Sequence, residues 1–525
     1  MTHKSVSVPS SGRALAASIG KNTAFGSASS VAHLVARLVV VPVIIRHLGL
    51  DGYGIWAVLM TIAAYMSLGA AGVKSAFQKY VAEATGTGDY DRASRLLSTG
   101  TASVLLLSVV VLVPLAIFSK PLAVAVGVPA AFLPAASEAI VFLALTTLFT
   151  NVGQTYQSIL MGAHRIDLRE KISLAIEPLN AATTIVLLLM GYGLVAMCVV
   201  YCVYQLVGSI LLYRFARRVL PAVRLSPQLV SRSVARELVW FGGSYQLVSM
   251  LEALYAAVLP IAALRFFGAD AAGVLALSAR LVSVAALIQG PYLQAILSGG
   301  SLVYASGSLE QIQSFIVKSF KAMSVITVVP LAFIALYGTQ IAWVWTGKSD
   351  PLLKVTICLL CAASFCRSLS SLFRVLYRAS GGAVMDNAQV ILSLAVALVC
   401  WPFAARLGFH GIVSGMAVAG QFLGLIVMCA SLTHRIKGFD AWVLAPNLVR
   451  FFVATAVILG ASIVTSYLGL HWKMNTRVFE TIRLAITTVI YLLVAGPALI
   501  LTGSISRSEV RMMLHAVSRR FASPA

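Results

Sequence analysis

The chain has 525 residues, of which 59% are hydrophobic and only 11% charged, and its mean hydropathy is +0.93. No soluble domain of this size could bury so much apolar surface, so an ordinary globular enzyme is excluded and lipid is the solvent to reason with. The 39 Lys and Arg against 17 Asp and Glu give a formal net charge of +22, but no solvated domain fits between the apolar runs to carry a nucleic-acid patch, so the charge points to the positive-inside rule.

Met1 to Asn22 is polar and rich in Ser and Gly, without an apolar core and cleavage site of its own, so the first helix is expected to be retained. A spanning helix needs roughly 20 apolar residues. Runs of that length fall at 24–47, 53–73, 99–119, 137–161, 173–191 and 193–213, then at 238–264, 271–297, 319–337, 352–377, 384–405 and 410–432. A last pair falls at 446–468 and 480–502. The expected fold is therefore all-α, a polytopic membrane protein of about 14 transmembrane helices. Its organisation reads as an N-terminal lobe over 1–217, a basic linker over 218–236, a C-terminal lobe over 237–436, and an extra helix pair with a basic tail over 437–525.

Charge sets the orientation. With the N-terminus inside, alternate segments hold 26 Lys and Arg on the cytoplasmic side against 8 on the other, from Lys4 through Arg214, Arg217, Arg218, Arg224, Arg232 and Arg236 to Arg519 and Arg520. This predicts a multi-pass protein of the inner membrane with both termini cytoplasmic. All seven cysteines lie in apolar runs, and Cys358 and Cys361, though spaced C-x-x-C, read as packing residues.

The two halves repeat. Arg46, Gly49, Asp51 and Gly54 match Arg265, Gly268, Asp270 and Gly273 at a constant offset of 219 residues, and Gly191-Tyr192-Gly193-Leu194 has a looser echo in Gly408 to Ile412. Each half holds six spans, an even number, so both enter the membrane from one side as a parallel pseudo-twofold repeat of two six-helix lobes. Duplicated bundles with a site between them are a transporter's architecture.

Several segments, in order along most of the chain, resemble the polysaccharide exporters of the multidrug/oligosaccharidyl-lipid/polysaccharide superfamily. They are P-V-I-I-R-H-L-G-L-D-G-Y-G-I-W from Pro42 to Trp56, G-A-H-R-I-D from Gly162 to Asp167, Phe241-Gly242, Phe267 to Gly273, Pro291, W-V-W-T-G from Trp343 to Gly347, and Gly408 to Gly411. The resemblance implies a flippase for undecaprenyl-diphosphate-linked oligosaccharides, with two lobes around a cavity and alternating access. It leaves open the drug-exporting branch and the lipid II flippases; a membrane glycosyltransferase or polymerase is the rival from another class, and it would need catalytic carboxylates on a sizeable outer loop, whereas the longest expected one, 119–136, has no Asp or Glu.

Ionisable groups inside spans carry the chemistry, since one at the bilayer centre costs roughly 2.5–3.5 kcal/mol on insertion scales. Arg37, Glu252 and Arg280 sit near the middle of their spans, and His33, four residues from Arg37, occupies the repeat position of Glu252. Arg37 and Arg280, with Arg367, are the candidate diphosphate ligands, because guanidinium is permanently charged and pairs bidentately with phosphate oxygens. Glu252, with His33, is the candidate coupling group for H⁺ or Na⁺; the competing reading is a structural pair of Glu252 with Arg37 or Arg280. Glu177 and Asp386 are weaker candidates, His164 belongs to a solvated loop, and Pro291 is the candidate hinge. No phosphate-cradling G-x-x-x-x-G-K-[ST], metal cluster or catalytic triad occurs in the sequence, so a secondary transporter is expected, not an enzyme, and no organic cofactor. The expected partners are a polyprenyl-diphosphate-linked oligosaccharide, anionic lipids and the polysaccharide polymerase or export machinery.

Overall fold

The computed structural model describes residues 12–66, 80, 81, 83, 84, 87–162, 165–287, 289–381, 387–436, 438–467 and 477–503. Of the residues singled out from sequence, His164 and Asp386 lie outside that set, and His33 and Arg37 are described in backbone only. The fold is all-helical, and among the described residues ten helices are long and apolar enough to cross a membrane. Three of the ten stretches contain a glycine break and represent more than one pass.

In chain order the helices are α1 (Gly12–Met66), α2 (Tyr90–Ile117), α3 (Ser119–Val126), α4 (Leu133–Gly162), α5 (Ile166–Leu189), α6 (Leu194–Val219) and α7 (Arg232–Ala285). They continue with α8 (Gln289–Ser306), α9 (Leu309–Thr346), α10 (Leu352–Ala379), α11 (Ala388–Cys400), α12 (Ala404–Ile412), α13 (Gly420–Arg435), α14 (Ala445–Tyr467) and α15 (Arg477–Leu501). A straight helix of the 55 residues of α1 would be about 80 Å long against a hydrocarbon layer of about 30 Å. Gly49 breaks it, with φ 76° and ψ 177°. That backbone region is essentially reserved for glycine. Its repeat partner Gly268 does the same in α7 (φ 87°, ψ 178°), and Gly408 in α12 (φ 71°, ψ 171°). The glycines that mark the repeat in sequence are therefore the points where one span turns into the next, and the described helices account for the expected fourteen.

The chain forms two compact units, Met1–Gly273 and Val274–Ala525. In the first, α4 packs on α6 and α2, and α1 packs on α5. Leu96, Leu97, Val104, Tyr156, Ile159, Leu160 and Leu238 form a buried cluster. In the second, α10 packs on α9, α8 and α13 around Ile316, Phe320, Met323, Phe373, Leu376 and Met428. Val104 and Met323 share the offset of 219, and Tyr156 and Phe373 share the offset of 217 that also relates Gly191 to Gly408, so the two cores are built from equivalent positions. The last helices join the second unit through Tyr491, whose hydroxyl donates to the Val329 carbonyl at 2.6 Å.

The spans are turned inside out relative to a soluble bundle. On α2, Leu106, Val110 and Ile117 are exposed, whereas Ser94, Ser98, Thr99 and Ser108 are buried. Lipid tails are as apolar as leucine, so helices gain little by hiding apolar faces and associate through small residues and hydrogen bonds.

The closest backbone approach of this kind lies in the first unit at Gly54. A Cβ there would meet the Gly273 nitrogen at 2.5 Å and the Ala269 carbonyl oxygen closer still, and one on Gly273 would strike the Leu50 carbonyl. Gly54 and Gly273 are repeat equivalents, and equivalent positions that touch each other are what a local two-fold requires. Gly54→Ala and Gly273→Ala should each destabilise the protein by about 1–3 kcal/mol through overpacking against rigid backbone. Gly496→Ala, in α15 with open space around it, should be neutral or gain up to about 1 kcal/mol. Thermal unfolding of the three variants in detergent checks this, and equal melting temperatures would refute the contact.

Candidate functional site

Several polar side chains inside the bundle pair across helices, since hydrocarbon offers them no partner. In the first unit the Asn151 amide donates to Ser108 at 3.0 Å, Thr150 to Gln205 at 3.3 Å, and Thr183 shares a hydrogen bond with Tyr204 at 2.8 Å. These bonds join α4 to α2, α4 to α6, and α5 to α6. The equivalent of the Ser108–Asn151 pair in the second unit is Thr327 with Ser368, at offsets of 219 and 217. Serine is shorter than asparagine, and there a third residue fills the gap. Buried Gln289 donates to Thr327 at 3.4 Å and accepts from Ser368 at 2.9 Å.

Gln289 is the first residue of α8, immediately past an interruption. α7 ends at Ala285, the Ala286 and Leu287 amides close short turns onto the Ser283 and Val284 carbonyls, and the Gln289 amide reaches the Ala286 carbonyl at 3.2 Å. A helix broken inside a span is tolerated only where protein or water satisfies the freed backbone, and such breaks are where transporters place their sites. Tyr292 adds a second tie, its hydroxyl donating to the Ser319 carbonyl at 3.1 Å. Pro291 is the third residue of α8, so the chain is interrupted just before the proline. In the sequence, the signal for Gln289 is the Gln-Gly-Pro run at 289–291, of which Pro291 is the more conspicuous residue.

Arg280 lies twelve residues past the break at Gly268, about 18 Å along a helix apolar and long enough to cross a membrane. It is half-buried, while Arg367, the neighbour of Ser368 on α10, is exposed. Neither side chain makes an ion pair or hydrogen bond to the described residues. Arg483, also within a span, is different: it pairs with Glu480 at 2.9 Å one turn away. The Gln289 bridge thus ties together the two segments that carry Arg280 and Arg367, both in the second unit. Glu252 is exposed on the first-unit part of α7, and Glu177 is half-buried on α5.

The repeat tells what these arginines are not for. Arg280 corresponds at the 219 offset to Thr61, which bonds its own helix at the Ala57 carbonyl (2.9 Å), and Arg367 corresponds at 217 to Thr150. The same helices are thus formed in the other half with a neutral side chain in place of the guanidinium, so the fold does not require these charges.

An all-helical polytopic chain with glycine-broken spans, repeated halves and a mid-span interruption has the fold of the multidrug/oligosaccharidyl-lipid/polysaccharide (MOP) superfamily transporters. An inward-closed lipid II flippase MurJ is similar at a TM-score of 0.69 and 13% identity, over 91% of this chain and 98% of that one. An inward-facing multidrug resistance MATE family transporter of the MOP superfamily is similar at 0.65 and 17%, over 77% and 94%. A MOP superfamily transporter from Pyrococcus furiosus is similar at 0.53 and 16%, over 79% and 93%. Residues 19–297 match the family of polysaccharide biosynthesis proteins, and the chain belongs to that family. No curated protein matches it in sequence.

Gln289→Ala removes two interhelical hydrogen bonds and should lower stability by about 1 kcal/mol. Asn151→Ala should cost a similar amount. Unfolding in detergent measures both, and a loss at neither position would mean that the polar seams do not hold the helices.

Proposed function

We propose that this protein flips a polyprenyl-diphosphate-linked oligosaccharide across the cytoplasmic membrane by alternating access, supplying O-antigen, capsule or exopolysaccharide assembly. The observation that carries the reading is the pair Arg280 and Arg367, span-embedded guanidinium groups without a carboxylate among the described residues, in a polysaccharide biosynthesis protein. A diphosphate is the anion they fit: it is doubly charged, compact, and able to accept two parallel N–H bonds from each guanidinium. The polyprenyl tail stays in lipid and needs no protein. The sugar needs a hydrated path, and an arginine at mid-depth is affordable only beside one. Arg37, on the first half of α1, is the third ligand in this reading, and Pro291 with the interruption before it is the bend that lets the site change sides.

Glu252, with His33 at its repeat position, is the proposed coupling group, binding H⁺ or Na⁺ in one conformation and pairing with an arginine in the other. A drug or cation antiporter of the same fold would want an acidic site, and three span arginines oppose that by repulsion. A lipid II substrate carries the same diphosphate and stays within the proposal's chemistry. The polymerase that consumes the flipped product is the expected neighbour in the membrane.

Arg37→Ala, Arg280→Ala and Arg367→Ala should each cut flipping by tenfold or more while leaving insertion and melting temperature unchanged. Arg280→Lys should restore part of the loss, keeping charge without the bidentate fork. Flipping of a fluorescent polyprenyl-diphosphate glycan in proteoliposomes is the measurement, and full activity in the three alanine variants rejects the site. Glu252→Gln should leave flux that no longer follows an imposed H⁺ or Na⁺ gradient; gradient dependence equal to the parent's removes Glu252 from coupling.

A further inference from the structure

The basic segment joining α6 to α7 is held as a fixed surface. Its backbone amides at Arg224, Ser226 and Ser231 donate to the side-chain oxygens of Ser94, Ser98 and Thr99 on the first turns of α2, at 2.9, 3.0 and 3.0 Å. Three short bonds to one helix over eight residues leave the segment little freedom. Pro227–Leu229 forms a single 3-10 turn between them.

Every arginine on this surface is exposed: Arg214, Arg217 and Arg218 at the end of α6, Arg224 in the segment, and Arg232 and Arg236 at the start of α7. Arg95, exposed beside Ser94, adds a seventh. None of the seven forms an ion pair among the described residues. Nearby cations do: Arg92 reaches Glu237 at 3.5 Å, and Arg165 reaches Asp167 at 3.1 Å. Arg217 and Arg218 instead lie over the rings of Tyr213 and Phe215, each 5.9 Å from the centroid. Leu225 and Val230 stand exposed among the arginines. Apolar side chains set among unpaired cations are the pattern of a surface seated in the head-group layer, where chain and phosphate are both within reach.

We propose that this clamped segment, with Arg95 and the flanking arginines of α6 and α7, is a binding site for anionic phospholipid head groups of the cytoplasmic leaflet. The positive-inside rule accounts for the sign of the charge. It does not account for seven arginines that form no ion pair among the described residues although Asp91 and Glu237 lie close by in the chain, or for the Ser94–Ser98–Thr99 clamp, which holds the cations at fixed spacing before a lipid arrives. Phosphodiester oxygens would take the place of the missing carboxylates, and Leu225 and Val230 would rest on the first carbons of the chains. The site is independent of what the protein transports.

The test uses the full chain in mixed micelles of phosphatidylcholine and phosphatidylglycerol, with retained lipid counted by native mass spectrometry. The parent should retain phosphatidylglycerol over phosphatidylcholine, and R224Q/R232Q/R236Q should lower that preference on the order of tenfold. K318Q/K321Q/R378Q, which removes as much charge from other basic loop ends, should leave it within twofold. Equal losses in the two triple variants, or none in the first, would overturn the site. S94A/S98A/T99A keeps every charge and should still weaken the preference at least twofold; an unchanged preference would overturn the role of the clamp. Arg280→Ala should retain parental lipid preference, which separates this site from the proposed substrate site.

Discussion

Helices in a bilayer gain no free energy by hiding leucine from hydrocarbon, and this constraint shapes the rest of the protein. Association has to come from backbone approach and from hydrogen bonds that lipid cannot supply. The first is met where Gly54 and Gly273 bring two helix starts together with no room for a Cβ. The second is met by Asn151 with Ser108 and by Gln289 with Thr327 and Ser368. Each such bond is worth only about 0.6–1.7 kcal/mol. That modest strength suits a bundle that has to change shape, since many weak ties can be exchanged where one strong tie would lock.

Duplication makes the chain its own control. Turns, core positions and the Ser108–Asn151 seam recur in both halves, because both must solve the same packing problem. What does not recur is charge inside the spans: Arg280 and Arg367 stand opposite Thr61 and Thr150 in the repeat, and Glu252 opposite His33. Selection for folding would tend to keep equivalent positions alike, so the positions that differ in charge are the ones folding alone does not explain. Gln289 belongs with the differences, because it pins an interruption near Arg280 into the neighbouring core.

Span number and order were legible in the sequence because length of apolar run is a hard physical requirement with few alternatives. The helix-to-helix turns were legible because Gly49 and Gly268 stand out as a repeat in an otherwise featureless composition. The polar seams were not. A serine or threonine in a span can satisfy itself on the carbonyl four residues back, as Thr146 and Thr147 do, so its identity alone does not reveal whether it also reaches another helix. Gln289 was hidden for a related reason: glutamine beside Gly-Pro reads as a loop residue, and its role depends on Thr327 and Ser368, 38 and 79 residues away. For the candidate site, insertion cost picked out Arg280 and Arg367. Their lack of an acidic partner among the described residues, which distinguishes them from Arg483, depends on how the helices pack and not on composition.

Charge balance joins the two proposed sites. With 39 Lys and Arg and 17 Asp and Glu, one-to-one pairing leaves more than half of the cations without a carboxylate. In water that surplus would be met by mobile counterions; at a membrane it is met by phosphate. Cations near the surface can find it on the leaflet, which is the partner we propose for the clamped arginines between α6 and α7. Arg280 is half-buried on a span with no carboxylate partner among the described residues, and for it we propose an anion that comes to the site. In the function proposed above, the diphosphate of a lipid-linked substrate is that anion, which would meet both the electrostatics of the span and the requirements of transport.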